Sequence, residues 1–102
     1  MTDDLLIRGI PVQKSICEML REELHTLIDL LKSKQPDDIS TILRALHRLK
    51  GSTGFIGLTE VETKVKELEH DIRESNDLNM PTLNTLLADL ELLSGEISSA
   101  LS

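Results

Sequence analysis

Apolar residues recur at spacings of three and four along most of the chain, and polar residues fill the positions between them. Ile16, Leu20, Leu24, Leu27 and Leu31 form the first such run, the signature of one buried face on an amphipathic helix. Pro11 suits the first position of that helix, and the segment 33–38 interrupts it. A second run, Ile39, Ile42, Leu43, Leu46 and Leu49, follows Pro36, Asp37 and Asp38, whose acids suit the positive end of a helix dipole. Thr59 with Glu62 has capping-box spacing ahead of a third run of Val61, Val65, Leu68 and Ile72, with Leu58 just before it. Pro81 restarts the pattern for Leu83, Leu86, Leu90, Leu93 and Ile97, although Gly95 costs that helix about 1 kcal/mol. Ahead of all four, residues 3–11 read as one or two turns of helix stopped by Gly9, a lid on the core. No strand alternation or internal repeat is read anywhere. The predicted fold is all-α: an up-down-up-down four-helix bundle with a short N-terminal lid helix, one domain over residues 1–102.

Composition narrows this picture. Hydrophobic residues make up 39% and charged residues 28% of 102 positions, with a single aromatic, so Leu, Ile and Val must fill the interior. The net charge of -7 disfavours nucleic acid and anionic lipid, which attract basic surfaces. Cys17, the only cysteine, cannot form an internal disulfide and reads as a small hydrophobe. No signal peptide or membrane span is present in the pattern. The expectation is a soluble, cytoplasmic monomer. Its Met1 and lid-like first turns lean towards a free-standing protein.

Candidate chemistry concentrates in residues 46–58, where one histidine, one lysine and three glycines fall together. At about 100° per residue, the apolar stripe of the second helix is centred roughly 110° from His47, which places the imidazole at the edge of the bundle. Gly51 and Gly54 lie within about 40° of it, so the surface beside the ring is predicted to be bare. Each glycine costs a helix about 1 kcal/mol relative to alanine, and access for something large gives that cost a reason. Arg44 and Lys50 lie about 60° to either side, Arg48 follows the histidine, and no acid occurs between Thr41 and Leu58. An exposed imidazole with a lone pair, ringed by cations, suits a transient anion such as a phosphoryl group. Lys50 also admits an ordinary reading as a snorkelling side chain, and Arg44 and Arg48 as solvated charges. His25 and His70 lack such neighbours and read as solvated. The order Lys50-Gly51-Ser52, in a helix, is not the Gly-Lys-Ser/Thr of a nucleotide-binding loop. Histidines on three different helices do not make a metal site.

His47-Arg48-Leu49-Lys50-Gly51-Ser52, then Gly57-Leu58 and Leu68-Glu69, resemble the histidine phosphotransfer (HPt) domain family, closely over about residues 39–72 and by pattern elsewhere. The resemblance implies that His47 is the phosphoacceptor, that Lys50 sits by the phosphoryl oxygens, and that Gly51 leaves room for a docking receiver domain. Leu46, where alanine is common, and the absence of aromatics in the first helix depart from the family pattern. The implied function is a phosphorelay carrier, taking a phosphoryl group from one receiver aspartate and passing it to another, with no kinase or ATPase activity of its own. It needs no cofactor, since Mg²⁺ is expected from the receiver. Partners are receiver domains of response regulators and hybrid sensor kinases, docking near Arg44, Arg48, Gly54 and Phe55. Phe55 is equally readable as core.

Two other readings compete. A dimerising phosphoacceptor domain of a sensor kinase is also helical, but there an acid commonly follows the histidine, and here it is Arg48. A helical protein-interaction bundle without phosphotransfer predicts no phosphorylation by any donor.

Overall fold

The computed structural model describes residues 4–33, 39–77 and 80–102. Its first element corrects the expectation of a lid helix. Residues 4–13 form an antiparallel hairpin of β1 (Asp4–Ile7) and β2 (Ile10–Gln13), with Leu5 opposite Val12 and Ile7 opposite Ile10. Arg8 and Gly9 join them with φ of 52° and 80°, the left-handed pair that closes a two-residue hairpin with the right twist. Gly9 is therefore a turn residue rather than a helix stop. Side chains alternate: Leu5, Ile7, Ile10 and Val12 face the core, while Leu6 and Pro11 face outward. Pro11, expected to open a helix, lies in β2.

α1 (Lys14–Ser33) buries Cys17, Leu20, Leu24, Leu27, Ile28 and Leu31, the predicted stripe with Ile16 at its margin. Burial and the charges of Asp4 and Glu18 push the Cys17 thiol pKa up, so it packs as a small hydrophobe. The proposed start of the second helix at Pro36, Asp37 and Asp38 lies outside the described residues. α2 (Ile39–Ile56) buries Ile42, Leu46, Leu49 and Thr53. The Thr53 hydroxyl donates to the Leu49 carbonyl at 2.8 Å, which lets a polar side chain sit in the core.

Gly57, at φ 100°, ends α2, and the amides of Gly57 and Leu58 both donate to the Thr53 carbonyl. α3 (Thr59–Ser75) follows at once. The capping box does not form: no side chain caps its first turn, and the Glu62 carboxylate lies against α2 instead. α3 ends at Asn76, a left-handed residue whose amide donates to the Ile72 carbonyl. α4 (Met80–Leu101) buries Leu83, Leu86, Leu90, Leu93 and Ile97.

α1 packs on α2 and α4, and α3 packs on the same two helices. α2 and α4 therefore stand diagonally across a single aliphatic core, and β1 rests on α4 while β2 rests on α1. Ion pairs fasten the rim, with Lys64 on Asp89, Lys32 on Glu91 at 2.9 Å and Arg8 on Glu96 at 2.8 Å. No helix among the described residues is long and apolar enough to cross a membrane.

Candidate functional site

Leu46 and Leu49 are fully buried, and this anchors α2 so that the residues between and beyond them are turned outward. The His47 side chain is 69% exposed, as its angular offset from the stripe requires. Lys50 is half-buried beside it on the α3 side.

What joins these two residues is Glu69. It is the one charged side chain buried among the described residues, 6% exposed, on the inner face of α3. Its Oε1 accepts from Lys50 Nζ at 2.8 Å, and its Oε2 lies 3.2 Å from Arg73 Nη2 and 3.4 Å from His47 Nδ1. Burial pushes the Glu69 carboxyl up, but hydrogen bonds and charges from Lys50 and Arg73 outweigh that and hold it below the usual glutamate value. The carboxylate is thus ionised at neutral pH and faces Nδ1. An acceptor at Nδ1 favours the tautomer that carries its proton there and leaves the Nε2 lone pair free. Nε2, across the ring, has no hydrogen-bond or ion-pair partner among the described residues.

The two glycines predicted to clear the surface differ. A Cβ built on Gly51 meets nothing within 4 Å, so that ground is open. A Cβ built on Gly54 would fall against the Glu62 carboxylate. The carboxylate that does not cap α3, the far end of the flexible Glu62 side chain, stands over Gly54, whereas Gly51 has nothing beside it. Phe55 is 84% exposed and is not core. Arg44 and Arg48 are exposed and make no ion pair among the described residues. Arg44, Arg48, Gly51 and Phe55, at spacings of four, three and four, share one ridge beside the imidazole.

Sequence reasoning noted Leu68-Glu69 but gave Glu69 no role. A signal was present, since Glu69 stands among Val65, Leu68 and Ile72 on an otherwise apolar stripe, where an unpartnered charge would be costly. The absence of acids around His47 was also a property of α2 alone. The fold brings Glu69 and Glu62 from α3, and Glu23 of α1 accepts from the Ser52 hydroxyl at 2.6 Å. His25 and His70 are exposed; His70 lines a shallow depression with Lys50, Glu69 and Arg73 but lies 4.0 Å from Glu74 rather than against the Glu69 carboxylate, and no group of three or more metal-binding side chains occurs among the described residues.

The site therefore offers an accessible ring nitrogen, a lysine within one turn of it, a buried carboxylate that orients both, and open ground for a large partner. A family model described as the Hpt domain matches residues 14–96, from the start of α1 to near the end of α4. Neither the curated proteins nor the solved structures compared with the chain give a match. Because that match covers most of the chain, from the start of α1 into α4, and includes His47, Lys50 and Glu69, the chain belongs to the Hpt domain family, whose work is histidine phosphotransfer in two-component signalling.

Proposed function

We propose that this chain is a phosphorelay carrier and that His47 is its phosphoacceptor. Nε2 attacks the phosphorus of a receiver's aspartyl phosphate in line, the new N–P bond forming as the old O–P bond breaks and the aspartate leaves as a carboxylate. In the return step a carboxylate oxygen of a second receiver attacks the same phosphorus, and Nε2 leaves with its lone pair. Phosphoryl transfer of this kind depends on positioning and charge compensation more than on covalent chemistry. The observation that carries the reading is the division of labour on the ring: Nδ1 faces an ionised, buried Glu69 while Nε2 is open.

Lys50 supplies positive charge beside the transferring group, and its bond to Glu69 pre-positions the ammonium. Mg²⁺ belongs to the receiver's acidic site in this scheme. Gly51 leaves room for that receiver, and the ridge of Arg44, Arg48 and Phe55 meets it with cations at one end and an exposed aromatic ring at the other. Short connections such as Gly57-Leu58 support an up-down-up-down course for the helices.

The test is to incubate the chain with a receiver phosphorylated on its aspartate. Wild type should acquire an acid-labile, alkali-stable label and His47→Ala should not. Equal labelling of the two would remove His47 from the role.

A further inference from the structure

One turn after Glu69 on α3 stands Arg73. An acid and a base at this spacing are common on helix surfaces, and an exposed pair of this kind contributes little to stability. This pair differs on the side of the acid. The Arg73 side chain is 60% exposed, but the carboxylate it binds is buried, and the oxygen it takes is Oε2, the one that faces His47 Nδ1. Lys50 takes Oε1 at 2.8 Å. Each oxygen of Glu69 therefore holds a cation that stays charged at any working pH, before the imidazole is counted.

The distances carry the consequence. Arg73 Nη2 donates to Oε2 at 3.2 Å, whereas His47 Nδ1 stands 3.4 Å from the same atom, longer than an ordinary N–H···O bond. The carboxylate is close enough to favour a proton on Nδ1 of the neutral ring, but it does not grip that proton. A buried carboxylate with Lys50 as its sole cation would pair more closely with a protonated ring, because an opposite charge favours the charged form of an imidazole. With Arg73 present, Lys50, Glu69 and Arg73 amount to two positive charges and one negative, and a further positive charge on the ring is opposed. The other charged side chains nearby do not share this position. Arg44 and Arg48, on α2, make no ion pair among the described residues. Lys66, Glu67, His70 and Asp71, on α3, line the depression beside Lys50 and Glu69, but none of them is ion-paired to Glu69 or His47 among the described residues. Glu23 of α1 is engaged by Ser52, and Asp89 of α4 by Lys64.

We propose that Arg73 is a positioning residue for phosphoryl transfer: by occupying Oε2 of Glu69 it stops the carboxylate from drawing a second proton onto the His47 ring, so that Nε2 keeps the lone pair with which it attacks. This role rests on His47 being the phosphoacceptor. A ring protonated on both nitrogens is a donor at each and has no lone pair to offer phosphorus. Glu69 and Arg73 thus act as a pair, the acid choosing which nitrogen carries the single proton and the base keeping the ring from taking a second. Arg73 itself touches neither the ring nor the reacting atoms, and its whole effect passes through one carboxylate oxygen.

Two measurements on the intact chain test this, each made on wild type, on Arg73→Gln, which removes the charge, and on Arg73→Lys, which keeps it. The first is nitrogen-15 NMR of the His47 ring against pH, which needs no phosphoryl donor. The pH at which the ring is half-protonated should move up in Arg73→Gln and return towards wild type in Arg73→Lys. The second is the initial rate of labelling by a phosphorylated receiver across the same pH range, each variant taken as a ratio to wild type so that the pH dependence of the donor cancels. Arg73→Gln should fall about two- to threefold below wild type at about pH 6 and draw level by about pH 8.5, where the ring is neutral in both chains. Arg73→Lys should stay near wild type throughout, and the three chains should melt at nearly the same temperature. A merely structural role for Arg73 predicts one ratio at every pH and an unmoved ring titration, and that outcome overturns the inference. So does a glutamine variant that slows transfer while its ring titrates as in wild type, or a lysine variant that restores neither readout. Absence of label from His47 of wild type would instead remove the phosphoacceptor reading, and this role with it, whatever the ring titration shows.

Discussion

Glu69 carries more of the site's order than any other side chain, because Lys50 and Arg73 both donate to its buried carboxylate and the His47 ring lies 3.4 Å from it. Replacing it with Ala leaves Lys50 partly buried without its acceptor and should cost about 1–3 kcal/mol in urea unfolding. Its folded pKa is depressed, so the stability it confers is fully present above the usual glutamate value and is lost as pH falls through the lower, folded one. The gap between wild type and Glu69→Gln should accordingly be widest at neutral pH and should close on acidification below about pH 4. Glu69→Ala should also accept phosphoryl groups more slowly, because Nδ1 loses the carboxylate it faces. At Gly51 stability and function should part company. Gly51→Ala enters open space in a helix and should stabilise the fold by up to about 1 kcal/mol. Gly51→Leu should slow transfer sharply with helix content by circular dichroism nearly unchanged. Unchanged transfer in the leucine variant would remove the argument that this glycine serves access.

At the scale of elements, the four helices were legible because each sustains a 3.6-residue apolar period over many turns, so chance matches average out. His47, Lys50 and Gly51 were legible for the same reason, since all three are placed by the phase of one helix. The hairpin was not. Its strands have four residues each, too few for period two to stand out from period 3.6, and a glycine followed by a proline also reads as a helix stop. The discriminating signal was Arg8-Gly9 flanked by Leu5, Ile7, Ile10 and Val12, a turn pair between two alternating runs. What stands beside Gly54 depends on the next helix as well, since the flexible carboxylate of Glu62 reaches over it from α3. The left-handed conformation of Gly9, at φ 80°, predicts that Gly9→Ala costs about 1 kcal/mol in urea unfolding.

For the whole molecule, an aliphatic bundle with no aromatic in its core holds the exposed His47 ring at its edge. Leu46, fully buried immediately before His47, couples the two. Leu46→Ala should destabilise the fold by about 2–5 kcal/mol and lower the melting temperature, while the fraction that remains folded should still be labelled on His47. The exterior divides accordingly, with Arg44, Arg48 and Phe55 exposed along the ridge of α2 and Leu6 and Leu92 exposed on the side of β1 and α4. The most direct measurement of the central claim is the site of the N–P bond, read by nitrogen-15 and phosphorus-31 NMR of the chain after reaction with a phosphorylated receiver. A single phosphohistidine at His47, bonded through Nε2 with Nδ1 still protonated, is the predicted result. Phosphorus on Nδ1, or on any residue other than His47, would contradict it.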